Sequence, residues 1–263
     1  MYKKHPVFYR SLGRGMPVVL LHGFGEDGRI WEETVSQLEN NYRLLVPDIP
    51  GSGLSSFNNR LRSIEDFADM VKAILENEAV HSFVIIGHSM GGYIALGFAA
   101  QYPAGIAGLG LFHSTALADS EEKKAARRKG IDFILSQGSP AFIGLSAPNL
   151  FAESFRKDFP ATVENFVTRY QDLDPAALIA YYEAMIGRPD RRDLLCNCDF
   201  PVLFIIGELD QAVLLQDVLP QTQLPKESHI HILPGVGHMG MLESPEAGIA
   251  ALDRYLRRCA ALM

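Results

Sequence analysis

Short apolar runs alternate along this chain with stretches whose apolar residues recur at helical spacing. The runs are Pro17–Leu21, Tyr42–Val46, Ser82–Ile86, Ile106–Phe112, Val202–Ile206 and His229–Leu233. Their near-continuous apolar character predicts strands covered on both faces. Between them, Trp31, Val35 and Leu38 fall at i, i+4 and i+7, and Phe67, Val71, Ile74 and Leu75 form one stripe. Ser63 with Asp66 three residues later has the form of a capping box. Gly91 to Tyr102 is apolar and rich in small residues, as a helix packed tightly on a sheet would be. The alternation predicts an α/β fold, a mostly parallel sheet with helices on both faces. From about Thr115 to Asp190 no strand pattern appears, and the charged run Glu121–Lys129 leads into Ile131, Ile134 and Leu135 at helical spacing. The expected organisation is therefore a core formed by residues 1–114 and 191–263, with a helical insertion over 115–190.

Composition narrows the class. A chain of 263 residues with 48% hydrophobic and 21% charged residues suits one large soluble domain with an insertion. The formal net charge of −7 disfavours nucleic acid as a partner. No apolar stretch of signal-peptide length follows Met1, and Val18–Leu21 is far short of a membrane span. Cys196, Cys198 and Cys259 are few and odd in number, and without a second pair they do not make a zinc site. Three free thiols fit a reducing compartment, so the expectation is a cytoplasmic protein with no membrane partner.

The chemistry gathers where the strands end. Gly87-His88-Ser89-Met90-Gly91 matches G-x-S-x-G, with a strand before it and a helix after it. That context is a nucleophile elbow, which exposes the Ser89 hydroxyl at a helix N-terminus. A serine needs a base, and His238 lies in the glycine-rich loop Pro234–His238 just after the last strand. The imidazole needs a carboxylate to set its tautomer. Asp210, beyond the strand Val202–Ile206, is the candidate, with Glu208 as the fallback. His22 and His88 read as lining or support residues. His22-Gly23-Phe24-Gly25 follows the first apolar strand. The backbone N–H groups of Phe24 and Met90 are the candidate oxyanion donors.

A rival pattern shares these glycines. Gly23, Gly25 and Gly28 spell G-x-G-x-x-G after a strand, and Asp48 lies twenty residues beyond Gly28. That is the fingerprint of a dinucleotide site. Glu26 and Asp27 would repel a pyrophosphate in that loop, and the rival leaves Ser89, Asp210 and His238 unexplained. Gly235, Gly237 and Gly240 repeat the string too near the end of the chain for a βαβ unit.

Taken together, His22–Gly25, Asp48–Gly53, Gly87–Gly92, Gly207–Asp210, Gly237-His238 and Glu243–Glu246 resemble the α/β-hydrolase fold family over nearly the whole chain. The resemblance implies an eight-stranded sheet with a helical cap after the sixth strand. Within it, Ser89 separates the chain from the haloalkane dehalogenases and epoxide hydrolases, whose nucleophile is aspartate. The similarity is to small carboxylesterases and lactonases, to carbon–carbon bond hydrolases and to cofactor-free perhydrolases of the haloperoxidase type. The expected function is hydrolysis of a small ester, thioester or lactone through an acyl-enzyme on Ser89. The carbon–carbon hydrolase, the perhydrolase and a ligand-binding receptor of the same fold stay open as alternatives. The expected partner is a small-molecule substrate, with no metal and no organic cofactor, and a homodimer is compatible with the sequence. Because His238 must be neutral to act, activity is expected to fall below roughly pH 6.5. Phe142, Phe151, Tyr181 and Met185 are the candidate cap residues near a pocket. The basic run Lys123–Lys129 has two readings, a solvated helix face or an attractor for an anionic substrate.

Overall fold

The structure, a computed structural model, describes residues 6–57 and 59–262. Seven strands form one sheet: β1 (Tyr9–Leu12), β2 (Met16–Leu21), β3 (Tyr42–Pro47), β4 (Phe83–His88), β5 (Ile106–Phe112), β6 (Val202–Gly207) and β7 (Ser228–Leu233). Their order is β1-β3-β2-β4-β5-β6-β7, parallel throughout except for β1. The α/β class and the six apolar strands therefore stand where the hydrophobic runs place them. β1 has no apolar run. Its four residues are mostly half-buried, because it lies at the sheet edge, antiparallel to β3 with Tyr9 opposite Pro47. The resemblance implies eight strands, and the described residues form seven. Only Pro6–Phe8 are described ahead of β1, too few for another strand, so the long helical stretch follows the fifth strand and not the sixth.

The helices are α1 (Glu32–Leu38), α2 (Ile64–Asn77), α3 (Met90–Gln101), α4 (Glu121–Ser146), α5 (Glu153–Asp158), α6 (Pro160–Tyr170), α7 (Pro175–Gly187), α8 (Arg192–Asn197), α9 (Leu215–Val218), α10 (Gly240–Glu243) and α11 (Pro245–Ala260). α2 opens with the expected capping box. The Ser63 hydroxyl accepts the Asp66 N–H at 3.1 Å, and the Asp66 carboxylate accepts the Ser63 N–H at 3.1 Å. Its stripe of Phe67, Val71, Ile74 and Leu75 is buried. α2 packs on α3, which packs in turn on β2, β4 and β5. α1 and α11 pack together, α1 on β3 and α11 on β5, β6 and β7. α4 breaks at Gly138, whose φ of 82° ends its first segment just ahead of Pro140.

Register then decides where the chemistry falls. Leu21 pairs with Gly87, His88 with Phe112, Phe112 with Ile205, and Gly207 with Leu233. The carboxyl ends of five parallel strands are thus level, and every loop that carries a candidate residue leaves from that one edge. β2 runs to β3 on one side and the chain returns to β4 on the other, so the order reverses between β2 and β4. In open α/β sheets that switch point is where ligands bind. The loops bearing Phe24 and Ser89 leave from it.

Candidate active site

Ser89 is held by its backbone. Its φ of 50° and ψ of −115° lie outside the regions open to most side chains. Two contacts secure that conformation: Ser89 N–H donates to Phe112 O at 2.9 Å, and the Ser114 hydroxyl donates to Ser89 O at 2.8 Å. The turn is tight enough to require glycine on both sides. A Cβ on Gly87 would lie 2.1 Å from the Gly91 carbonyl, and one on Gly91 would lie 2.4 Å from Leu21 O. Gly87→Ala is therefore expected to cost about 1–3 kcal/mol or more of stability, read as a lower urea midpoint at unchanged slope.

The predicted base and acid meet. His238 Nδ1 donates to Asp210 Oδ2 at 2.7 Å, and both side chains are almost wholly buried. Asp210 Oδ1 accepts the N–H groups of Ala212 and Val213, each at 2.8 Å. Burial works to raise the Asp210 carboxyl, but the charge and hydrogen bonds of His238 and His113 outweigh it and hold the group far below the usual range. Glu208, the fallback, is exposed and accepts the Gly235 N–H instead. The His238 loop is pinned by Glu243, whose carboxylate accepts the N–H groups of Gly237 and Met239 at 3.0 Å each. His238 N–H itself donates to Leu150 O at 2.7 Å.

Ser89 and His238 line one cavity of about 170 Å3, with Phe24, Glu26, His88, Tyr93, Arg127, Leu150, Tyr182 and Met185 in the same wall. The loop after β2 closes against Ser89. A Cβ on Gly23 would lie 3.2 Å from the Ser89 Cβ and 2.9 Å from His88 Nδ1. Phe24 stacks on Tyr182, ring centroids 4.3 Å apart, and meets Phe142 edge-on at 6.1 Å. Of the four aromatic and methionine candidates, Met185 lines the cavity. Phe142 and Phe151 pack in the core, and the Tyr181 hydroxyl bonds to Pro50 O at 2.9 Å. Tyr182, one residue on, takes the place expected of Tyr181.

Two features were not legible in the sequence. The first is a buried pair, Glu26 and His88. His88 Nδ1 lies 2.6 Å from Glu26 Oε1, and His88 Nε2 lies 3.0 Å from His238 O. Both ring nitrogens face oxygen acceptors, so both carry protons and the ring is an imidazolium. Burial works against that charge, but Glu26 overrides it and raises the pKa of His88. The Glu26 carboxyl is lowered, since burial alone would raise it and His88 more than compensates. Glu26 also accepts the Gly23 N–H. One ion pair thus ties the loop after β2 to the loop of His238. His22 stands apart from this, with Nε2 accepting the Ile49 N–H at 2.9 Å.

The second is His113, the residue directly after β5, with φ 48°. Its Nδ1 lies 3.1 Å from the Gly207 N and 3.2 Å from Asp210 Oδ2. Burial pushes its pKa down to about 4 against the opposing pull of Asp210. His113, Asp210 and His238 are the described group whose ligand-type atoms lie within 4.8 Å of one another. Hydrogen bonds among them and to Gly207 account for that closeness. A group whose folded pKa is depressed below about 6.5 and which is buried neutral costs stability once the unfolded chain can protonate it. Stability is therefore expected to fall as pH drops from about 6.5 toward 4, by up to about 3 kcal/mol for this residue. His113→Asn, which tolerates the positive φ, should flatten urea midpoints measured over that window.

The dinucleotide alternative does not survive the geometry. Gly23 N–H is taken by Glu26, Gly28 N–H by Asp48 at 2.9 Å, and Arg29 N–H by Asp27 at 2.9 Å. Asp48 also accepts the Leu54 N–H at 2.8 Å, so it ties two loops together. All three cysteines are free, with Cys198 and Cys259 buried. No helix of the described residues is long and apolar enough to cross a membrane.

A parallel sheet with a serine at a strained strand-to-helix turn and an Asp–His pair at the same edge defines a class, and comparison with known proteins agrees. Residues 18–252 match the model of the alpha/beta hydrolase family, and the chain belongs to that family. It is 28% identical to the 2-succinyl-6-hydroxy-2,4-cyclohexadiene-1-carboxylate synthase of Enterobacter sp. (strain 638), over 92% of this chain and 93% of that one. It is 28% identical to the pimeloyl-[acyl-carrier protein] methyl ester esterase of Vibrio campbellii, over 82% of this chain and 87% of that one. Among solved structures, a thermophilic esterase from Thermogutta terrifontis superposes with a TM-score of 0.92 at 29% identity, covering 97% of this chain and 94% of the other.

Proposed function

We propose that this protein is a serine carboxylesterase acting on small esters, thioesters or lactones. The observation that carries the reading is the 2.7 Å His238–Asp210 hydrogen bond at the cavity that Ser89 also lines. Ser89 Oγ attacks the carbonyl carbon while His238 Nε2 takes its proton. The new oxyanion rests on the N–H groups of Phe24 and Met90. Met90 is the first residue of α3, so its N–H has no acceptor within the helix. His238 then protonates the departing alcohol or thiol. Water, giving its proton to His238, attacks the acyl carbon, and His238 returns that proton to Ser89 Oγ as the bond from Oγ to the acyl carbon breaks and frees the acid. Asp210 stays ionised and orients the imidazole. No metal or organic cofactor enters this sequence.

The helices over residues 115–190 act as a cap above the pocket, since Phe24, Tyr182 and Leu150 join them to the loops of the site. The three free thiols support a cytoplasmic setting.

The test is hydrolysis of 4-nitrophenyl esters of increasing acyl length. A cavity of about 170 Å3 holds the volume of roughly five or six waters. Roughly acetyl to butyryl esters should therefore turn over best, with kcat/KM falling about tenfold or more by octanoyl. Flat turnover from acetyl to octanoyl would mean that the helices above the site do not bound it, and no turnover of any ester would remove the reading.

A further inference from the structure

Building on the esterase reading, we propose that the substrate carries a carboxylate and that Arg127 receives it. The basic run of α4 divides by face. Arg128 and Lys129 are exposed, whereas Lys123 and Arg127, one turn apart, are half-buried and turn toward the site. Lys123 Nζ donates to Ala212 O at 2.9 Å, and Ala212 and Arg127 both line the cavity of Ser89.

The charges around Arg127 do not cancel. Asp119 is fully buried and is shared by two guanidinium groups, Arg127 through Nε at 2.6 Å and Arg188 through Nη2 at 2.9 Å. Arg188 is engaged elsewhere as well: it donates to Met185 O at 2.9 Å and Leu117 O at 3.1 Å and lies 3.8 Å over the Tyr93 ring. Two cations and one carboxylate leave one positive charge, and the member of the cluster on the cavity wall is Arg127. The carboxylate in that wall, Glu26, is already matched by His88. Much of the remaining wall is apolar or aromatic, with Phe24, Tyr93, Leu150, Tyr182 and Met185. A guanidinium in such surroundings favours a planar, doubly accepting anion. In a chain of net charge −7 it is a local positive focus beside the proposed nucleophile.

The experiment compares 4-nitrophenyl succinate, which bears a free carboxylate, with its neutral methyl ester of the same acyl length, in native, Arg127→Gln and Arg127→Lys proteins. The native protein is expected to favour the anionic ester, mainly through KM. Arg127→Gln should lower the anionic-to-neutral ratio of kcat/KM by about ten- to a hundredfold, the range of one charge-assisted hydrogen bond. Arg127→Lys keeps a cation beside Asp119 and should lower the ratio by less. Where glutamine prevents folding, the lysine variant alone decides. A native preference for the neutral ester, or equal losses on both esters, would overturn the proposal and leave Arg127 as a structural partner of Asp119. Calorimetric titration of succinate into Ser89→Ala protein, with and without Arg127→Gln, separates the two readings. If no ester turns over but succinate binding depends on Arg127, esterase function falls and the anion site stands. If esters turn over and succinate binding ignores Arg127, the anion site falls and the esterase stands.

Discussion

Ser89→Ala is expected to lower kcat for a 4-nitrophenyl ester by about four to six orders of magnitude, the loss typical of removing a triad nucleophile. The fold should hardly notice. Ser89 is fixed through its backbone, by Phe112 O and the Ser114 hydroxyl, and alanine meets the same φ of 50° with the same difficulty. The urea midpoint should therefore move by less than about 1 kcal/mol of stability. His238→Ala should be nearly as damaging to kcat, and combining it with Ser89→Ala should add little, because the two act as a unit. Glu208→Gln is the control, since Glu208 is exposed and its carboxylate accepts only the Gly235 N–H among the described contacts. If Ser89→Ala retained more than a few per cent of native turnover, another nucleophile would have to be sought.

Breaking the Glu26–His88 pair is expected to produce the largest loss of stability. Both side chains are at most 2% exposed, and their charges answer one another. Removing one partner of such a pair strands a buried charge and costs about 3–5 kcal/mol, so Glu26→Ala and His88→Ala should each approach that figure. The double variant Glu26→Ala/His88→Ala should cost clearly less than the sum of the two single alanine variants, with a coupling of about 1 kcal/mol or more. Activity should fall too, because Glu26 holds the Gly23 N–H beside Phe24 and His88 holds the carbonyl of His238.

The pH dependence follows from the signs. His88 has its pKa raised in the folded protein, so its contribution is complete below about pH 6.5 and disappears as pH climbs through the raised value. Glu26 has its pKa lowered, so its contribution is complete above about pH 4.5 and disappears as pH falls through the lowered value. The native protein should therefore lose stability on the alkaline side in a step that the double variant lacks. Urea midpoints from pH 6 upward check this, and a double variant with the same alkaline step would assign it to other groups.

Much of this site was legible before any coordinates. The G-x-S-x-G string between an apolar run and a small-residue helix placed Ser89, because an elbow needs those neighbours within a few residues. The order of strands placed Asp210 and His238 at carboxyl ends. Continuous apolar runs and a 3.6-residue period answer to burial, and they marked six strands and the stripe of α2. β1 was missed for the same reason: an edge strand with half its surface in water carries little apolar pattern, and the backbone pairing to β3 that makes it a strand leaves no mark in side-chain type.

What the sequence by itself determined was local: which segments bury, where they turn, and that a serine stands at a turn only glycine neighbours permit. What the tertiary structure decided was who meets whom. Asp210 prevails over Glu208 because two backbone N–H groups and His238 converge on it. Glu26 becomes the partner of His88 across 62 residues, and Arg127 turns from a charged run into the cavity wall. Such pairings depend on sheet register and on which helix face turns inward, and local periodicity cannot encode them, because a buried charge is stabilised by partners distant in the chain.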